Sequence, residues 1–412
     1  MSHLSTESYK GVRDFYPEDQ FIQNYIFGVW RDTVESFGYT QYHASILEPT
    51  ELYKVKSGEE IVNDQTYSFI DRGERDVTLR PEMTPTVARM VAAKKRELSF
   101  PLRWYSIPNL FRYERPQRGR LREHWQLNAD LFGLAGIEAE VEIITMAYQI
   151  MKNFGISDDQ FEIKINSRSL LSQQLTDQSI PASAHNQALK LIDRKKKISE
   201  EDFILEWQKI SDKPFVLGTP DEKITSLLAK LSESGITNAS YDPYVVRGFD
   251  YYTGIIFEIF DTSPENNRSV FGGGRYDELL SIFGGEPVPT VGFGMGDVTI
   301  RDVLETYELL PEYISTTDLY ICPMSSDQFE GATILANDLR SDGITVAVDY
   351  TGKKIGDQFK KADKDGISFV LVIGEDELKT KNHKLKNSKT REETALTAQE
   401  IASFIKNTKG LK

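Results

Sequence analysis

The spacing of apolar residues changes along the chain and predicts two kinds of domain. In residues 1–310, helical stripes at 20–37 and 138–153 alternate with groups of short strands that are separated by turns. A further helix is predicted to follow Thr84, which fits an N-cap, and Pro85, which fits the first helical position. This order of elements is typical of a large antiparallel α+β domain.

Region 168–240 has a mostly helical pattern, which predicts an insertion in that domain. Beyond it the pattern changes, with short apolar runs at 319–323, 344–348 and 368–373 separated by helical stretches. Strands that alternate with helices favour a mainly parallel sheet. Residues 317–412 are therefore predicted to form a small α/β domain.

Polar and apolar residues alternate over 125–133, which predicts a strand with two different faces. Gln126, Asn128 and Asp130 fall on one face, while Leu127 and its odd-numbered neighbours fall on the other. The apolar face would pack on a core, and amide and carboxylate groups would suit a pocket for a polar ligand. In an arbitrary strand, a polar face is more commonly exposed to solvent.

A second strand with one core-like face is predicted at 251–260. Tyr252, Gly254 and Glu258 share its other face, and Arg247 lies just upstream. Each strand alone is weak evidence for a site. Two polar faces in one domain indicate a single sheet that forms the floor of a ligand pocket.

Five arginines within residues 112–122 form a local cluster of positive charge. Arg112 and Glu114 are two residues apart and would share a face if they lay in a strand. An arginine binds a phosphate or carboxylate through forked hydrogen bonds, and a carboxylate can accept from an exocyclic amine. Any one of these arginines could equally be solvated, but the cluster favours contact with phosphate or nucleic acid.

Composition limits the classes of protein to consider. The 412 residues carry 49 Lys and Arg against 63 Asp and Glu, a net charge of −14, which argues against indiscriminate nucleic-acid binding. No apolar run approaches the ~20 residues that a membrane-spanning helix needs, and no signal peptide is visible. The single cysteine, Cys322, excludes an intramolecular disulfide. We expect a soluble cytoplasmic protein of two or three domains.

Two glycine-rich stretches, at 271–276 and 291–296, are predicted to form close-packed turns that lead into helices. Neither is a Walker loop, because no Gly-Lys-Ser/Thr follows, and neither opens a Rossmann unit. No Ser-His-Asp or Cys-His nucleophile pairing can be argued from the sequence. Cys322 lies in an apolar run and is interpreted as a small core residue.

Several motifs resemble those of histidyl-tRNA synthetases, a family of class II aminoacyl-tRNA synthetases. The most specific is Val246-Arg-Gly-Phe-Asp-Tyr-Tyr-Thr-Gly254, which is similar to the histidine-specific signature. The other matching stretches are Lys10-Gly-Val-Arg-Asp14, Ile46-Leu-Glu-Pro-Thr-Glu-Leu-Tyr53, Thr78-Leu-Arg-Pro-Glu-Met-Thr84, Phe111-Arg-Tyr-Glu-Arg-Pro-Gln-Arg-Gly-Arg120, Val348-Asp-Tyr-Thr-Gly-Lys-Lys354 and Gln358-Phe-Lys-Lys-Ala-Asp363. The resemblance implies an α+β class II catalytic domain built on an antiparallel sheet with a helical insertion, followed by an α/β anticodon-binding domain.

The same resemblance implies a role for individual residues. Arg247 and Arg112 would be catalytic, with Arg112 holding the α-phosphate of ATP and Glu114 the adenine amine. The residues that would bind L-histidine are Glu82, Thr84, Gln126, Asp130, Tyr251 and Tyr252. Mg²⁺ would bridge the departing pyrophosphate oxygens, and tRNA(His) would receive the histidyl group. A homodimer is implied as well.

Two departures from the family pattern leave a second function open. Thr299 stands where the third class motif has an arginine, and Ser45 stands where the first motif has a proline. A non-catalytic histidyl-synthetase-like regulatory subunit of histidine biosynthesis is therefore the alternative. A class II synthetase for proline, threonine or glycine is disfavoured by the signature at 247–254. In the tail, Lys353, Lys354, Lys360 and Lys361 could grip tRNA or form a solvated face.

Overall fold

The computed structural model describes residues 4–54, 65–216, 218–246, 251–266 and 268–409. The chain divides into two compact units, Met1–Leu310 and Pro311–Lys412. Within the described ranges, no helix is both long enough and apolar enough to cross a membrane.

The first unit is built from short strands and amphipathic helices. Its helices are α1 (Pro17–Ser36), α2 (Glu51–Lys54), α3 (Thr84–Lys94), α4 (Glu138–Asn153), α5 (Arg168–Asp177), α6 (His185–Arg194), α7 (Glu200–Gln208), α8 (Glu222–Glu233) and α9 (Asp297–Thr306). Its strands are β1 (Thr40–Gln41), β2 (Leu47–Pro49), β3 (Tyr67–Ile70), β4 (Asp76–Leu79), β5 (Leu102–Ser106), β6 (Asn109–Phe111), β7 (Glu123–Phe132), β8 (Phe161–Ser167), β9 (Ala239–Tyr241), β10 (Ile255–Asp261), β11 (Ser269–Arg275) and β12 (Thr290–Gly296).

A large sheet organises this unit. In the described part of the chain its order is β1-β5-β7-β12-β11-β10-β8-β9, and β6 pairs with β7 beside this path. The successive strands of the sheet β5, β7, β12, β11, β10 and β8 run antiparallel to one another. At the two edges, β1 pairs parallel with β5 and β9 pairs parallel with β8. The predicted antiparallel α+β domain is confirmed.

One face of the sheet carries the main apolar core. Helices α1, α4 and α8 cover it with apolar stripes that include Trp30, Ile143 and Leu227. These side chains are fully buried, so burial of this face supplies the main stabilisation of the unit. The opposite face of the sheet carries a smaller apolar cluster and the polar residues described below.

Three antiparallel strands form a separate small sheet in the order β2-β4-β3. Region 168–240 is helical as expected, with α5 to α8 and short 3₁₀ turns, and ends in β9. A cluster around Leu175, Phe203 and Trp207 packs most of these helices against one another.

The start of α3 differs from its prediction. Met83 is the N-cap, Thr84 is the first helical residue, and the cap makes no side-chain hydrogen bond. Pro85 is the second helical residue. Proline is tolerated there because the N–H groups of the first turn have no acceptor within the helix. The predicted cap at Thr84 is therefore wrong.

The second unit is a small α/β domain with a sheet in the order β14-β13-β15-β16-β17. Its strands are β13 (Leu319–Pro323), β14 (Val346–Val348), β15 (Phe369–Ile373), β16 (His383–Asn387) and β17 (Glu393–Leu396), and its helices are α10 (Phe329–Ser341), α11 (Ile355–Lys364), α12 (Glu375–Thr380) and α13 (Ala398–Lys409). The strands β13, β14 and β15 are parallel, as the alternation of apolar runs and helices predicts, and β16 and β17 add antiparallel edge strands. Cys322 is fully buried, in agreement with a core role.

Candidate active site

Strand β7 has one apolar and one polar face; Asn128 and Asp130 on the polar face are buried, and Gln126 is half-buried. Leu127, Ala129 and Leu131 belong to the main core. On the other face, Gln126, Asn128 and Asp130 line a narrow cavity of about 30 Å³, here called the first cavity. The polar face is thus not a solvent-facing side of the sheet. Admitting an amino acid requires the lining side chains to move apart, because this volume holds little more than water.

Three other segments complete the first cavity. Glu82 and Thr84 reach it from the start of α3, and Tyr251 and Tyr252 reach it from the residues before β10. The Tyr251 hydroxyl donates to Glu82 Oε2 over 3.2 Å, so the two segments are joined at the pocket. Glu82 is only 2% exposed, and a buried carboxylate needs such partners. Tyr251 and Tyr252 precede the strand, which begins at Ile255 rather than at 251.

Asp130 has the most unusual environment in the first cavity. The Tyr276 hydroxyl donates to its Oδ1, while no described residue donates to its Oδ2, which is buried. Burial raises the pKa of Asp130 to about 7, against the effect of the Tyr276 hydrogen bond. Burial also raises the pKa of Tyr276, so its hydroxyl keeps its proton. Oδ2 of Asp130 can therefore accept a hydrogen bond from an N–H group of a ligand.

Glycines on β11 and β12 provide the space for these side chains. Gly292 and Gly294 pair with Asp130 and Asn128 across the β7–β12 register. A Cβ on Gly292 would overlap Asp130 and would lie 2.7 Å from the Tyr276 hydroxyl, and one on Gly294 would lie 2.5 Å from Gln126 Nε2. The two glycine-rich stretches are therefore strands in the sheet, and their prediction as turns is wrong, although a 3₁₀ helix (Leu279–Phe283) and α9 follow them as predicted. Glycine is needed here for close approach and not for a bend.

Arg112 and Glu114 occupy different places. Strand β6 ends at Phe111, and a hydrogen bond from Glu114 N to Arg112 O, 2.7 Å long, closes a tight turn directly after it. Arg112 lines the first cavity, where its Nε donates to Pro81 O over 2.8 Å. Glu114 lies outside that lining and pairs with Arg120 at 3.2 Å. The predicted shared strand face is thus wrong.

A second, much larger cavity of about 1230 Å³ lies along the same strands. The arginine-rich loop contributes residues 117–120 to it, β10 and β11 contribute Glu258 and Val270, and α9 contributes Thr299. On β11, Val270 lines this second cavity and Gly272 lines the first. The two cavities are therefore about 7 Å apart along one strand, the length of two residues. Arg301, two residues after Thr299 on α9, forms ion pairs with Asp19 and Glu305.

The structure brings together most of the predicted site residues. Gathered at the first cavity are Glu82, Thr84, Arg112, Gln126, Asp130, Tyr251 and Tyr252. Arg247 lies outside the described residues, as do the next three positions of its motif. Sequence reasoning missed Tyr276, although it directly follows the glycine-rich run and orients Asp130.

The comparisons with known proteins extend over the whole chain. The family model described as Histidyl-tRNA synthetase matches residues 11–210 and 216–298, and the model described as Anticodon binding domain matches residues 318–408. A histidine–tRNA ligase from Leptospira biflexa is 43% identical over 428 aligned positions, which cover 98% of each chain. One from Thermoplasma volcanium is 34% identical, covering 98% of this chain and 99% of the relative.

Solved structures give the same result for the fold. The apo histidyl-tRNA synthetase of S. aureus has a TM-score of 0.79 at 25% identity and covers 98% of this chain and 100% of that one. A Bacillus halodurans protein titled as an ATP phosphoribosyltransferase regulatory subunit/histidyl-tRNA synthetase has a TM-score of 0.70 at 22% identity, covering 90% and 99%, and shares the fold. An antiparallel sheet with a polar pocket on one face, followed in the chain by an anticodon-binding domain, defines a class of aminoacyl-tRNA synthetase. Within it, the chain belongs to the histidyl-tRNA synthetase family.

Proposed function

We propose that this protein activates L-histidine with ATP to form histidyl-adenylate and then transfers the histidyl group to tRNA(His). The observation that carries the proposal is the buried Oδ2 of Asp130, which accepts from no described residue, in a polar cavity that Arg112 also lines. An imidazole N–H is a ligand of the right size and polarity for that oxygen. Full-length similarity to histidine–tRNA ligases supports the same conclusion.

The first cavity offers separate groups for the two ends of histidine. Asp130, oriented by Tyr276, accepts from the imidazole, and Tyr252 lies on the same wall. Glu82 and the carbonyl oxygen of Gln126 bind the α-ammonium group, with Thr84 beside them. Tyr251 holds Glu82 in position through its hydroxyl. The buried acceptor on Asp130 explains why an amino acid whose side chain lacks an N–H donor would bind poorly.

Adenylation is then a matter of positioning and charge stabilisation. A carboxylate oxygen of histidine attacks the α-phosphorus, the bond from that phosphorus to the bridging oxygen breaks, and pyrophosphate leaves with the electron pair. Arg112 stabilises the charge that develops on the α-phosphate, and Arg247 shares this role in the proposal. Glu114 accepts a hydrogen bond from the adenine amine after its ion pair with Arg120 is broken. In the second step a terminal ribose hydroxyl of tRNA attacks the carbonyl carbon, and AMP leaves.

Mg²⁺ is expected to arrive with the triphosphate. In the described parts of the chain, no cluster of three His, Cys, Asp or Glu could hold a metal ion by itself. Magnesium commonly uses one or two carboxylates together with substrate phosphates, so this finding fits the group. Glu258 and Glu265 on the second cavity provide oxygens of the required kind. Bound there, the ion would neutralise phosphate charge.

The second unit is proposed to grip the anticodon arm of tRNA(His). The four lysines that the sequence singles out in this unit differ in availability: Lys360 pairs with Asp357 at 3.4 Å and Lys361 with Asp365 at 2.5 Å. Lys353 and Lys354 form no ion pair with any described residue. They are therefore the stronger phosphate contacts of this set.

A homodimer and a cytoplasmic location complete the proposal. The small sheet exposes apolar side chains, with Leu47 at 44%, Phe69 at 49% and Ile70 at 65%. Apolar groups grouped on one small sheet are typical of an interface, and a second copy of the chain is the proposed occupant. A cytoplasmic location follows from the proposed use of tRNA in protein synthesis.

The alternative, a regulatory subunit of histidine biosynthesis without catalysis, receives less support. The similarity to the Bacillus halodurans structure is one of fold. The retained pocket around Arg112 and the match to an anticodon-binding domain over residues 318–408 both favour a ligase.

The direct test is exchange of labelled pyrophosphate into ATP by the purified chain with histidine, proline, threonine or glycine. Exchange with histidine alone, followed by charging of tRNA(His), is the expected result. A folded protein that binds histidine but supports no exchange would instead favour the regulatory alternative. Replacement of Arg247 by alanine should remove most of the exchange without altering the fold.

A further inference from the structure

Arg275 ends β11 and is almost fully buried, with 4% of its surface exposed. Its neighbour Tyr276 lines the first cavity, whereas the Arg275 side chain lies on the opposite face of the sheet and reaches Glu140 in the first turn of α4. Successive residues of a strand alternate between faces in this way. Arg275 therefore lies behind the wall of the cavity that Tyr276 forms.

Each N–H group of the Arg275 guanidinium has an acceptor. Nε and Nη2 donate to the two carboxylate oxygens of Glu140, both over 2.6 Å. Nη1 donates to Leu134 O and to Asp277 Oδ1, each over 3.3 Å, and Nη2 also donates to Gly136 O over 3.2 Å. Two parallel hydrogen bonds between a planar guanidinium and a carboxylate allow only one relative orientation. The guanidinium is therefore fixed against the start of α4.

The backbone around Arg275 holds two segments of the first cavity. Thr253, which directly follows the two tyrosines of the cavity, donates from its N to Arg275 O over 2.8 Å. Tyr276 N donates to Thr290 O over 2.9 Å. Gly254 leaves room for the arginine, since a Cβ there would lie 3.0 Å from Arg275 Cδ. A displacement of Arg275 would therefore move Tyr276 and the segment before β10 together.

We propose that Arg275 is a positioning residue for histidine binding: its pair with Glu140 fixes Tyr276, and Tyr276 directs Asp130 at the imidazole. This inference rests on the proposed function, which assigns the imidazole to Asp130. The Tyr276 hydroxyl donates to Asp130 Oδ1 and leaves Oδ2 to accept from the ligand. A hydrogen bond weakens steeply when its angle departs from linearity, so the direction of this carboxylate matters. Arg275 thus sets the affinity for histidine without contacting it.

The test is calorimetric titration of the full chain with L-histidine and, separately, with MgATP. Arg275→Lys keeps the charge but loses the forked geometry, and it should weaken histidine binding about tenfold, as expected when one hydrogen bond to a charged group is misdirected. Glu140→Gln removes one of the two carboxylate acceptors and should weaken histidine binding in the same direction. The affinity for MgATP should stay within about twofold of wild type in both variants. In pyrophosphate exchange, the KM for histidine should rise while kcat stays within about twofold.

A double-mutant cycle separates positioning from a purely structural role. In the Tyr276→Phe background the hydroxyl that orients Asp130 is absent. Arg275→Lys should then cause less than about a twofold further loss of histidine affinity. Its effect on the melting temperature should persist, because the pair with Glu140 is still altered. If Arg275→Lys does not fold, Glu140→Gln takes its place in the same cycle.

Arg103→Lys is the matched control. Arg103 on β5 forms the same forked pair with Glu142 of α4, with both hydrogen bonds 2.8 Å long, but it lies outside the lining of the first cavity. Its replacement should leave histidine affinity within about twofold of wild type.

Histidine affinity of wild-type strength in both Arg275→Lys and Glu140→Gln would overturn the proposal. An equal loss for MgATP would also overturn it, as would a loss of the same size in the wild-type and Tyr276→Phe backgrounds, which would assign Arg275 to the fold alone. If the wild type binds histidine with these dependences but shows no histidine-dependent exchange, the proposed function fails while the positioning role stands.

Discussion

The two cavities lie on one sheet but are built in different ways. The first, of about 30 Å³, is formed by buried side chains whose positions follow from strand register and from glycines opposite them. The second, of about 1230 Å³, is bordered by long charged side chains from a loop and from helix surfaces. The first is thus preorganised for one small polar ligand, while the second can adjust to a flexible polyanion.

The largest expected effect comes from a buried carboxylate that joins the start of α9 to β7, to α1 and to the N-terminal segment. Asp297, fully buried at the start of α9, accepts from Trp125 N over 2.9 Å, Arg13 Nη2 over 2.6 Å and Gln23 Nε2 over 2.9 Å. Asp297→Ala leaves these donors without their acceptor and should lower the free energy of unfolding of the first unit by about 3–5 kcal/mol. Denaturant titration measures this loss, and binding of both ligands should weaken with it.

A surface carboxylate gives the matched control for that measurement. Glu206 pairs with Lys209 on the exposed side of α7, and Glu206→Ala should cost at most about 0.5 kcal/mol. Equal effects of the two substitutions would show that the buried hydrogen bonds of Asp297 do not stabilise the unit.

The next effect separates the two cavities. Asp130→Asn keeps the size of the side chain and the acceptor for Tyr276 but replaces the open oxygen by a donor. We expect a loss of about a hundredfold or more in kcat/KM for histidine, because a buried N–H would lose its acceptor. Pyrophosphate exchange over a range of histidine concentrations measures it. The KM for ATP should stay within about twofold, and Asp376→Asn, on the surface of the second unit, should leave both values unchanged.

Crowding of the first cavity should have a smaller effect on the fold. Gly292→Ala puts a methyl group against Asp130 and Tyr276 and should cost about 1–3 kcal/mol of stability, together with histidine affinity. Gly28→Ala is the control, because α1 leaves open space around Gly28 and alanine favours a helix by about 0.5–1 kcal/mol. Thermal and denaturant unfolding of both variants measures the difference. A Gly292→Ala protein that binds histidine normally would contradict the close approach.

The smallest effect is one of pH. Asp130 has a pKa of about 7 without ligand, and an imidazole N–H favours its ionised form. Histidine binding should therefore release a proton near neutrality and strengthen about tenfold from pH 6 to pH 8, as the ionised fraction rises. His124 does not contribute, because burial lowers its pKa to about 3. Calorimetry in buffers of different ionisation enthalpy measures the proton, and Asp130→Asn should show only the titration of free histidine.

The sequence predicts the two cavities unequally. Alternation over 125–133 locates Gln126, Asn128 and Asp130 on one face, because a two-residue period follows directly from strand geometry. The same reasoning fails at Arg112 and Glu114, where a tight turn interrupts the strand and periodicity no longer applies.

The glycine-rich stretches show a second limit. Glycine is common in turns, so local preference predicts turns at 271–276 and 291–296, but here the side chains of a neighbouring strand require its small size. That requirement exists only once β7 and β12 are paired. Tyr276 was missed for the same reason, since its partner Asp130 is distant in sequence.

One experiment tests the role of the first cavity most directly: titration of histidine alone and of MgATP alone into the wild type and Asp130→Asn. We predict that Asp130→Asn binds histidine about a hundredfold or more weakly than the wild type and keeps its ATP affinity within about twofold. Histidine binding of wild-type strength in Asp130→Asn, or an equal loss of both ligands, would contradict this account.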